Sequence, residues 1–410
     1  MRMRVPFAVT PFLFATTLIA QSSWSPPVLQ TALNSTAADA GPNLSFDGLT
    51  LYFASIRSGN WELYASTRAF PGDAWSSPVL LPELGGTGVE DQPFLAIGNQ
   101  EVYFTSNRAG GAGGSDIMRS TRASPAGPWN PPQHVTELNS SGSDSAFSMT
   151  ADGLEAYLLS TGFGAPAAPN NAIFRATRTS TALPFGTPTL VTELSTTNTH
   201  RDCEIAPDGL SIVYTQFISP RLKVLFAARP DRSSPFSTPV VWAEFDTVGT
   251  VQGVYGFTRS ATGDEAFLAV GFATGGQEIM TTRRSLPYGS GCGGAAPLGL
   301  QSTAPVLGSS WNFTTTNVDA VSPVAITYFG LNSTSIPLDS LGAVGCFAFV
   351  DSIVSSLTSA NVGGVAQLGV PVPSTPSLAG FTLRAQSACL TLGNALGIYT
   401  SNGVFGTLGL

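Results

Sequence analysis

The chain has few charged side chains, and lysine is almost missing. Only 11% of the 410 residues are charged, lysine occurs once, at Lys223, and the formal net charge is -8. Nucleic-acid binding needs clustered Lys and Arg side chains that neutralise phosphates. The composition therefore argues against nucleic acid as a partner.

Histidine and cysteine are also rare. The two histidines, His134 and His200, lie far apart without the spacing of metal ligands, so they do not predict a zinc site. Four cysteines are few for a disulfide scaffold, but an exported chain can keep a pair oxidised. We expect a disulfide between Cys292 and Cys346, which is one of the pairings that four cysteines permit.

An apolar stretch follows a short basic segment at the start of the chain. Arg2 and Arg4 precede uncharged, mainly apolar residues up to Ala20, an arrangement typical of a secretory signal peptide. We expect residues 1–22 to be removed, although an uncleaved anchor is the alternative. No later segment is apolar enough to span a membrane, so the mature protein is expected to be secreted, periplasmic or at the cell surface.

The most informative feature is an internal repeat of about 50 to 56 residues. Each repeat opens with a turn that contains Asp-Gly, Gly-Asn or Gly-Asp, and such pairs between apolar runs favour tight hairpins. The turns fall at residues 45–49, 96–99, 150–154, 206–210 and 261–264. An alternating strand with aromatic residues follows each turn, which is typical of packed sheets. Repeats of this length are typical of four-stranded propeller blades.

The two ends of the repeat region complement each other. Residues 24–29 match the fourth strand of a repeat although no repeat precedes them, and the fifth repeat lacks its own fourth strand. We expect residues near 24–31 to supply the outer strand of the last blade and so to close the ring. The predicted fold is all-β, with a five-bladed β-propeller over residues 23–285 and a small β-sandwich domain over residues 286–410.

The first two repeats share a longer motif. It reads Asp39-x-x-Pro42-x-Leu44-Ser45-x-Asp47-Gly48-Leu49-x-Leu51-Tyr52-Phe53-x-Ser55-x-Arg57-x-Gly59, with Ser106-Asn107-Arg108 at the second loop. This pattern resembles the TolB-type, WD40-like propeller repeats of bacterial envelope proteins, and the resemblance covers roughly residues 24–285. It implies a platform for binding or assembly. Later repeats lose the Ser-x-Arg loop, so any ligand contact through it would involve Arg57 and Arg108.

Charge nearly disappears after Ser290. The charged residues from there to the last residue are Asp319, Asp339, Asp351 and Arg384. Short apolar runs separated by Gly, Pro and Ser predict the strands of a compact sandwich. The segment that includes Gly291-Cys292 and Gly345-Cys346 resembles a C-terminal module appended to many exported bacterial proteins, which implies a role in sorting or surface attachment.

One position of the repeat carries polar, ionisable residues. Gap-free comparison places Asp39, Glu90, Asp144 and His200 at this position, just before each innermost strand, with Asp91 and Asp202 beside it. In a propeller this position lies near one mouth of the central channel. We therefore predict a ligand-binding site there, and calcium is the candidate ion. The alternative is that these residues satisfy backbone N–H groups where each strand begins.

A recurrent arginine follows the third strand of each repeat. We assign it to Arg68, Arg122, Arg178, Arg229 and Arg283. Its expected partners are carboxylates in the fourth-strand pattern, namely Glu83, Glu137, Glu193 and Glu244. Cross-strand ion pairs of this kind would fix the register of the sheets.

The sequence favours a non-enzymatic exported protein that binds a protein or carbohydrate of the cell envelope. Neither a Gly-x-Ser-x-Gly turn nor a Ser-His-Asp order supports a hydrolase triad. The alternative is a five-bladed, glycosidase-like enzyme that uses Asp39, Glu90 and Asp144. A third interpretation is a scaffold stabilised by calcium.

Overall fold

The computed structural model describes residues 24–408 except 72, 165–170, 246–250, 273–275, 295, 376–377 and 379–380. The expected signal peptide, residues 1–22, lies outside the described residues. The described chain consists of strands and loops, with short 3-10 turns at Thr136–Leu138, Ala243–Phe245 and Asp339–Leu341. None of its helical segments has the length and apolar character needed to cross a membrane.

The repeat region begins with a short strand and three separate antiparallel sheets. The short strand is β1 (Val28–Leu29). The first four-stranded unit contains β2 (Asp39–Leu44), β3 (Thr50–Ser55), β4 (Glu62–Thr67) and β5 (Val79–Leu80). The second contains β6 (Glu90–Leu95), β7 (Glu101–Ser106), β8 (Asp116–Thr121) and β9 (Gln133–His134). The third contains β10 (Asp144–Met149), β11 (Glu155–Ser160), β12 (Ala172–Thr177) and β13 (Thr189–Leu190).

The fourth and fifth units are joined by hydrogen bonding. The fourth contains β14 (His200–Ile205), β15 (Ser211–Ile218), β16 (Arg221–Ala228) and β17 (Val240–Val241). The fifth contains β18 (Val251–Arg259), β19 (Glu265–Phe272), β20 (Gln277–Arg283) and the early strand β1. A single parallel bridge between Leu222 and Gly253 connects β16 to β18, so the two units form one eight-stranded sheet.

The start of the described chain completes the last unit. Strand β1 pairs antiparallel with β20, with Val28 opposite Thr281. The side chain of Trp24 is buried, with its ring centroid 6.0 Å from that of Trp242. The expectation that this segment supplies the missing outer strand is confirmed, and the all-β propeller class is confirmed with it.

The first strands of the units surround the central axis. Each of β2, β6, β10, β14 and β18 contacts the first strand of the unit on either side. Side chains link these neighbours, since Asn43 Oδ1 accepts from Leu95 N at 2.8 Å and Thr258 Oγ1 accepts from Leu44 N at 3.2 Å. Such bonds satisfy backbone N–H groups that the innermost strands would otherwise leave unpaired.

The hairpin turns form where the sequence predicts them. Asp47 Oδ1 accepts from Leu49 N at 3.0 Å, and Asp208 Oδ1 accepts from Leu210 N at 2.8 Å, so each aspartate closes its own turn. Gly48 has a φ of +73°, which a residue with a Cβ rarely adopts. The strands that follow bury their aromatic residues between the sheets.

The late domain is a second system of strands. Its strands are β21 (Leu286–Tyr288), β22 (Gly299–Ser302), β23 (Ser310–Thr316), β24 (Val324–Pro337), β25 (Phe347–Val362), β26 (Val365–Pro371), β27 (Thr382–Leu390) and β28 (Ile398–Thr407). They pair in the order β21-β28-β27-β24-β25-β26-β23-β22. The buried rings of Trp311, Phe313 and Phe329 form part of its core.

Two of the four cysteines form a disulfide, and the other two are free thiols. Cys292 and Cys346 form a disulfide with a Cα–Cα distance of 5.0 Å, which is the pairing expected from the sequence. Cys203 lies in the propeller and Cys389 in the late domain, and both are buried and free. The disulfide holds the segment before β22 against the turn before β25.

Candidate functional site

The four equivalent polar residues begin the innermost strands. Asp39, Glu90, Asp144 and His200 are the first residues of β2, β6, β10 and β14, and all are fully buried. Their hydrogen bonds go to groups near their own strands. Among the described residues no set of three or more His, Cys, Asp or Glu side chains is placed to hold a metal ion. Within the described chain these four are therefore not placed as the ligands of one metal ion.

In the first two units the buried carboxylate pairs with the arginine of the Ser-x-Arg loop. Arg57 Nη2 lies 2.5 Å from Asp39 Oδ1, and Arg108 Nη2 lies 2.9 Å from Glu90 Oε1. In both units the guanidinium also donates to a backbone carbonyl ahead of the first strand, that of Leu33 in the first unit. Arg57 and Arg108, predicted as ligand contacts, thus hold a loop to the entry of the innermost strand.

The third and fourth units use other groups at the same position. Asp144 accepts from Ser140 N at 2.6 Å and from Ser160 Oγ at 2.5 Å, and burial raises the pKa of this carboxyl. His200 Nδ1 lies 2.7 Å from the carbonyl oxygen of Asn171, and burial lowers the pKa of the imidazole. These contacts fit the structural alternative, in which the repeat position orders the start of a strand.

The residues after this position line the mouth of the channel. Asp91, Gln92, Arg201, Asp202 and Tyr255 help to surround a cavity of about 190 Å³. Of the predicted mouth residues, Asp91 and Asp202 line this cavity, and the others do not.

A bulge near the start of three innermost strands changes the direction in which the following side chains point. Gly41, Gln92 and Ala146 have φ values of +54°, +50° and +52°, and the pairing register shifts at each of them. An extra residue in one strand of a pair turns the side chains that follow. A Cβ at Gly41 would lie 2.8 Å from Asp91 Oδ1, so glycine leaves room for that carboxylate.

Sequence reasoning missed several residues of the mouth. Trp61, Asn171, Tyr255 and Gln277 also line the cavity. Trp61, Asn171 and Gln277 come from the loops before the third strands or from the start of such a strand. These three residues could have been found by their place in the repeat, because each lies directly before the third strand or is its first residue.

Burial sets the protonation of the channel carboxyls. Burial raises the pKa of Asp202 to about 7, although Phe257 N donates to Oδ2 at 2.8 Å and favours the charged form. Burial likewise raises the pKa of Glu204, deeper in the channel, to about 7, and it raises the pKa of Asp91. Near neutral pH the carboxyls of Asp202 and Glu204 can therefore donate as well as accept hydrogen bonds.

The recurrent arginine makes two contacts in every unit. Its Nε donates to a carbonyl of the hairpin turn, and its guanidinium lies over an aromatic ring of the outer segment. The sets are Arg68 with Gly48 and Trp75, Arg122 with Asn99 and Trp129, Arg178 with Gly153 and Phe185, Arg229 with Gly209 and Phe236, and Arg284 with Gly263 and Trp24.

Two expectations about this arginine were wrong. The fifth member is Arg284, since Arg283 is still the last residue of β20. The carboxylates that pair with Arg68 and Arg229 are Glu265 and Glu155, not the expected glutamates of the fourth-strand pattern. The arginine follows the third strand of its own unit. It therefore lies beside the start of the second strand of the preceding unit, where these glutamates are placed.

No family model matches this chain, and no curated protein matches it. Solved structures with a similar fold include a protein described as a putative TolB from Agrobacterium tumefaciens, with 15% identity, a TM-score of 0.39, and coverage of 72% of this chain and 85% of that one. A GH62 hydrolase in complex with xylotriose has 9% identity, a TM-score of 0.45, and coverage of 64% and 97%. The calcium-binding protein regucalcin from Agrobacterium tumefaciens has 8% identity, a TM-score of 0.39, and coverage of 64% and 94%. Likenesses at this level do not distinguish a binding platform from an enzyme.

Proposed function

We propose that this chain is an exported, non-enzymatic binding protein that holds a carbohydrate or protein group of the bacterial cell envelope at its channel mouth. The mouth cavity carries the proposal. Its walls combine the carboxyls of Asp91 and Asp202, the guanidinium of Arg201, and the rings of Trp61 and Tyr255. A few polar groups beside aromatic surface are typical of small-ligand sites. A space of about 190 Å³ suits one hydroxyl- or amine-bearing end group rather than a whole oligosaccharide.

Binding is favoured over glycoside hydrolysis by the positions of the carboxylates. Asp39 and Glu90 are paired with arginines, and Asp144 accepts from serine groups. A general acid or base must come within hydrogen-bond reach of the bound substrate. These three side chains do not line the mouth, so they are poorly placed for that role.

The test is binding of the full chain to a panel of envelope oligosaccharides and peptides, followed by titration calorimetry of each hit. Asp202→Asn is expected to weaken binding about tenfold, because it removes a mouth carboxyl. Asp231→Asn, in an exposed loop, is the control and should bind as the original chain does. Unchanged binding by Asp202→Asn would overturn the proposal. If the chain hydrolyses a glycan and Asp202→Asn abolishes that hydrolysis, the proposed function would change from binding to glycoside hydrolysis.

We also propose that the late domain sorts the protein or attaches it to the cell surface. The proposal rests on its near lack of charged residues and on its separate system of strands. Cell fractionation of a strain that produces residues 1–289 should then show accumulation in a different fraction from the full chain. The same fraction for both proteins, each resistant to mild proteolysis, would remove this assignment.

A further inference from the structure

A pattern of ion pairs links consecutive units of the propeller. A glutamate begins the second strand of the second, third and fifth units, at Glu101, Glu155 and Glu265. Arg229 of the fourth unit lies 2.6 Å from Glu155, and Arg68 of the first unit lies 2.6 Å from Glu265. In each case the arginine comes from the next unit around the ring.

The pattern breaks between the second and third units. By position, Arg178 should pair with Glu101. Glu101 does pair with Arg119 of its own unit, as Glu155 pairs with Arg175 and Glu265 with Arg283, but in the described chain it lacks the second pair to the next unit. Arg178 keeps its local contacts, with Nε 2.6 Å from the carbonyl oxygen of Gly153. Among the described residues no carboxylate pairs with Arg178, so its Nη2 lacks the counterpart of the bond from Arg229 to Glu155.

A large cleft opens beside this unpaired guanidinium. It has a volume of about 600 Å³ and lies between the outer edge of the second unit and the loop that follows β12. Arg178 and Phe185 line it from the third unit, and Asn130, Gln133 and Glu137 line it from the second. Apart from the phenyl ring, the groups named are hydrogen-bonding side chains.

We propose that this cleft binds a hydroxyl-rich carboxylate, such as a uronic acid residue of an acidic polysaccharide. A guanidinium fork matches the two oxygens of a carboxylate, and in this cleft Arg178 supplies one that pairs with no carboxylate of the described residues. Glu137 accepts hydrogen bonds from ligand hydroxyls, while Asn130 and Gln133 can donate or accept. The volume is sufficient for one or two sugar rings. Glu137 also disfavours a compact dianion such as phosphate, because its carboxylate repels the phosphate charge and finds no hydroxyl groups to accept from.

Titration calorimetry of the full chain with galacturonate and digalacturonate tests the proposal, with galactose and inorganic phosphate as the comparison ligands. We expect the uronates to bind at least tenfold more tightly than either comparison ligand. Arg178→Gln should weaken uronate binding at least tenfold, and Arg178→Lys should weaken it less because it keeps the charge. Glu137→Gln should lower the discrimination against phosphate.

The matched control is Arg122→Gln. Arg122 occupies the same repeat position, and it has the same contacts with a turn carbonyl and an aromatic ring, but it does not line this cleft. It should bind uronate normally. Equal binding of galactose and galacturonate, equal binding of phosphate, or an unchanged affinity in folded Arg178→Gln and Arg178→Lys would overturn the proposal.

Discussion

The guanidinium carbon of Arg284 lies 4.4 Å from the ring centroid of Trp24. Arg68 lies at the same distance from Trp75 in the first unit, but those residues belong to one repeat. Arg284 and Trp24 come from opposite ends of the propeller sequence. The ring is therefore closed by the same arginine–aromatic contact that orders the other units.

Removing the ring of Trp24 should weaken the contact between the first described segment and the last unit. We expect Trp24→Ala to lower the free energy of unfolding by about 3–5 kcal/mol, because a large buried aromatic side chain is lost. Urea unfolding followed by circular dichroism measures the change. Val28→Ala, at an exposed position of the same segment, should change stability by less than about 0.5 kcal/mol. A loss below about 1 kcal/mol for Trp24→Ala would contradict the closing role.

The pair of Asp39 and Arg57 should show strong energetic coupling. Asp39 is fully buried, and removing either partner leaves the other charge without its counterpart, which costs about 3–5 kcal/mol. A double-mutant cycle with Asp39→Asn and Arg57→Gln measures the coupling.

The control pair is Asp152 and Arg232, whose charged atoms are also 2.5 Å apart but whose side chains are 42% and 34% exposed. Solvent screening should reduce its coupling to about 1 kcal/mol or less. Similar couplings for the two pairs would refute a structural role that depends on burial.

The stability of the propeller should fall as pH rises through neutrality. The pKa values of Asp202 and Glu204 are about 7 in the folded chain, against about 4 for unfolded carboxyls. The folded protein therefore keeps these protons to higher pH, and the stability they contribute is full below about pH 4 and lost as pH passes 7. Thermal melting between pH 5 and 8 should show a smaller decline for a variant with Asp202→Asn and Glu204→Gln. His200, whose pKa is lowered by burial, acts in the opposite sense in both proteins. Parallel melting profiles would count against this account.

Thiol labelling should separate the cysteines by burial. Cys203 and Cys389 are buried, and burial raises the pKa of both thiols, so neither should react in the folded protein. Denaturation without reductant should expose two reactive thiols. Joint replacement of Cys292 and Cys346 by serine should destabilise the late domain by about 2–4 kcal/mol, because the bond closes a long loop. Rapid labelling of the folded chain would contradict this prediction, because it would show that the structure around the buried thiols opens readily.

The repeat was readable from sequence because local chemistry dictates it. Asp47 and Asp208 close their turns with their own side chains, and the aromatic strands that follow need a packed sheet on each side. The role of residues 24–29 followed from counting strands, since a ring of sheets leaves no edge open.

The channel mouth was less predictable because the innermost strands do not alternate regularly. Glu90 is buried against Arg108, and the register shift after Asp91 places Gln92 beside Asp91 in the lining of the cavity. A sequence pattern with a period of two does not locate such an irregularity. The fifth arginine was misplaced for a simpler reason, since Arg283 and Arg284 are adjacent and strand length alone selects between them.

The late domain was predicted in outline only. Strand β25 is apolar from Phe347 to Val350 but continues to Val362, and most of the residues after Val350 are exposed. Strand β23 alternates buried Trp311 and Phe313 with polar residues, so it lacks the apolar run that marks a strand in the sequence. Alternation with Ser, Thr and Asn resembles loop composition until the partner strand is known.

The pairing of β1 with β20 also constrains the order in which the protein can be made and folded. Ribosomes deliver Val28 more than two hundred residues before its partner Thr281, so the last sheet stays incomplete until nearly the whole propeller has been synthesised.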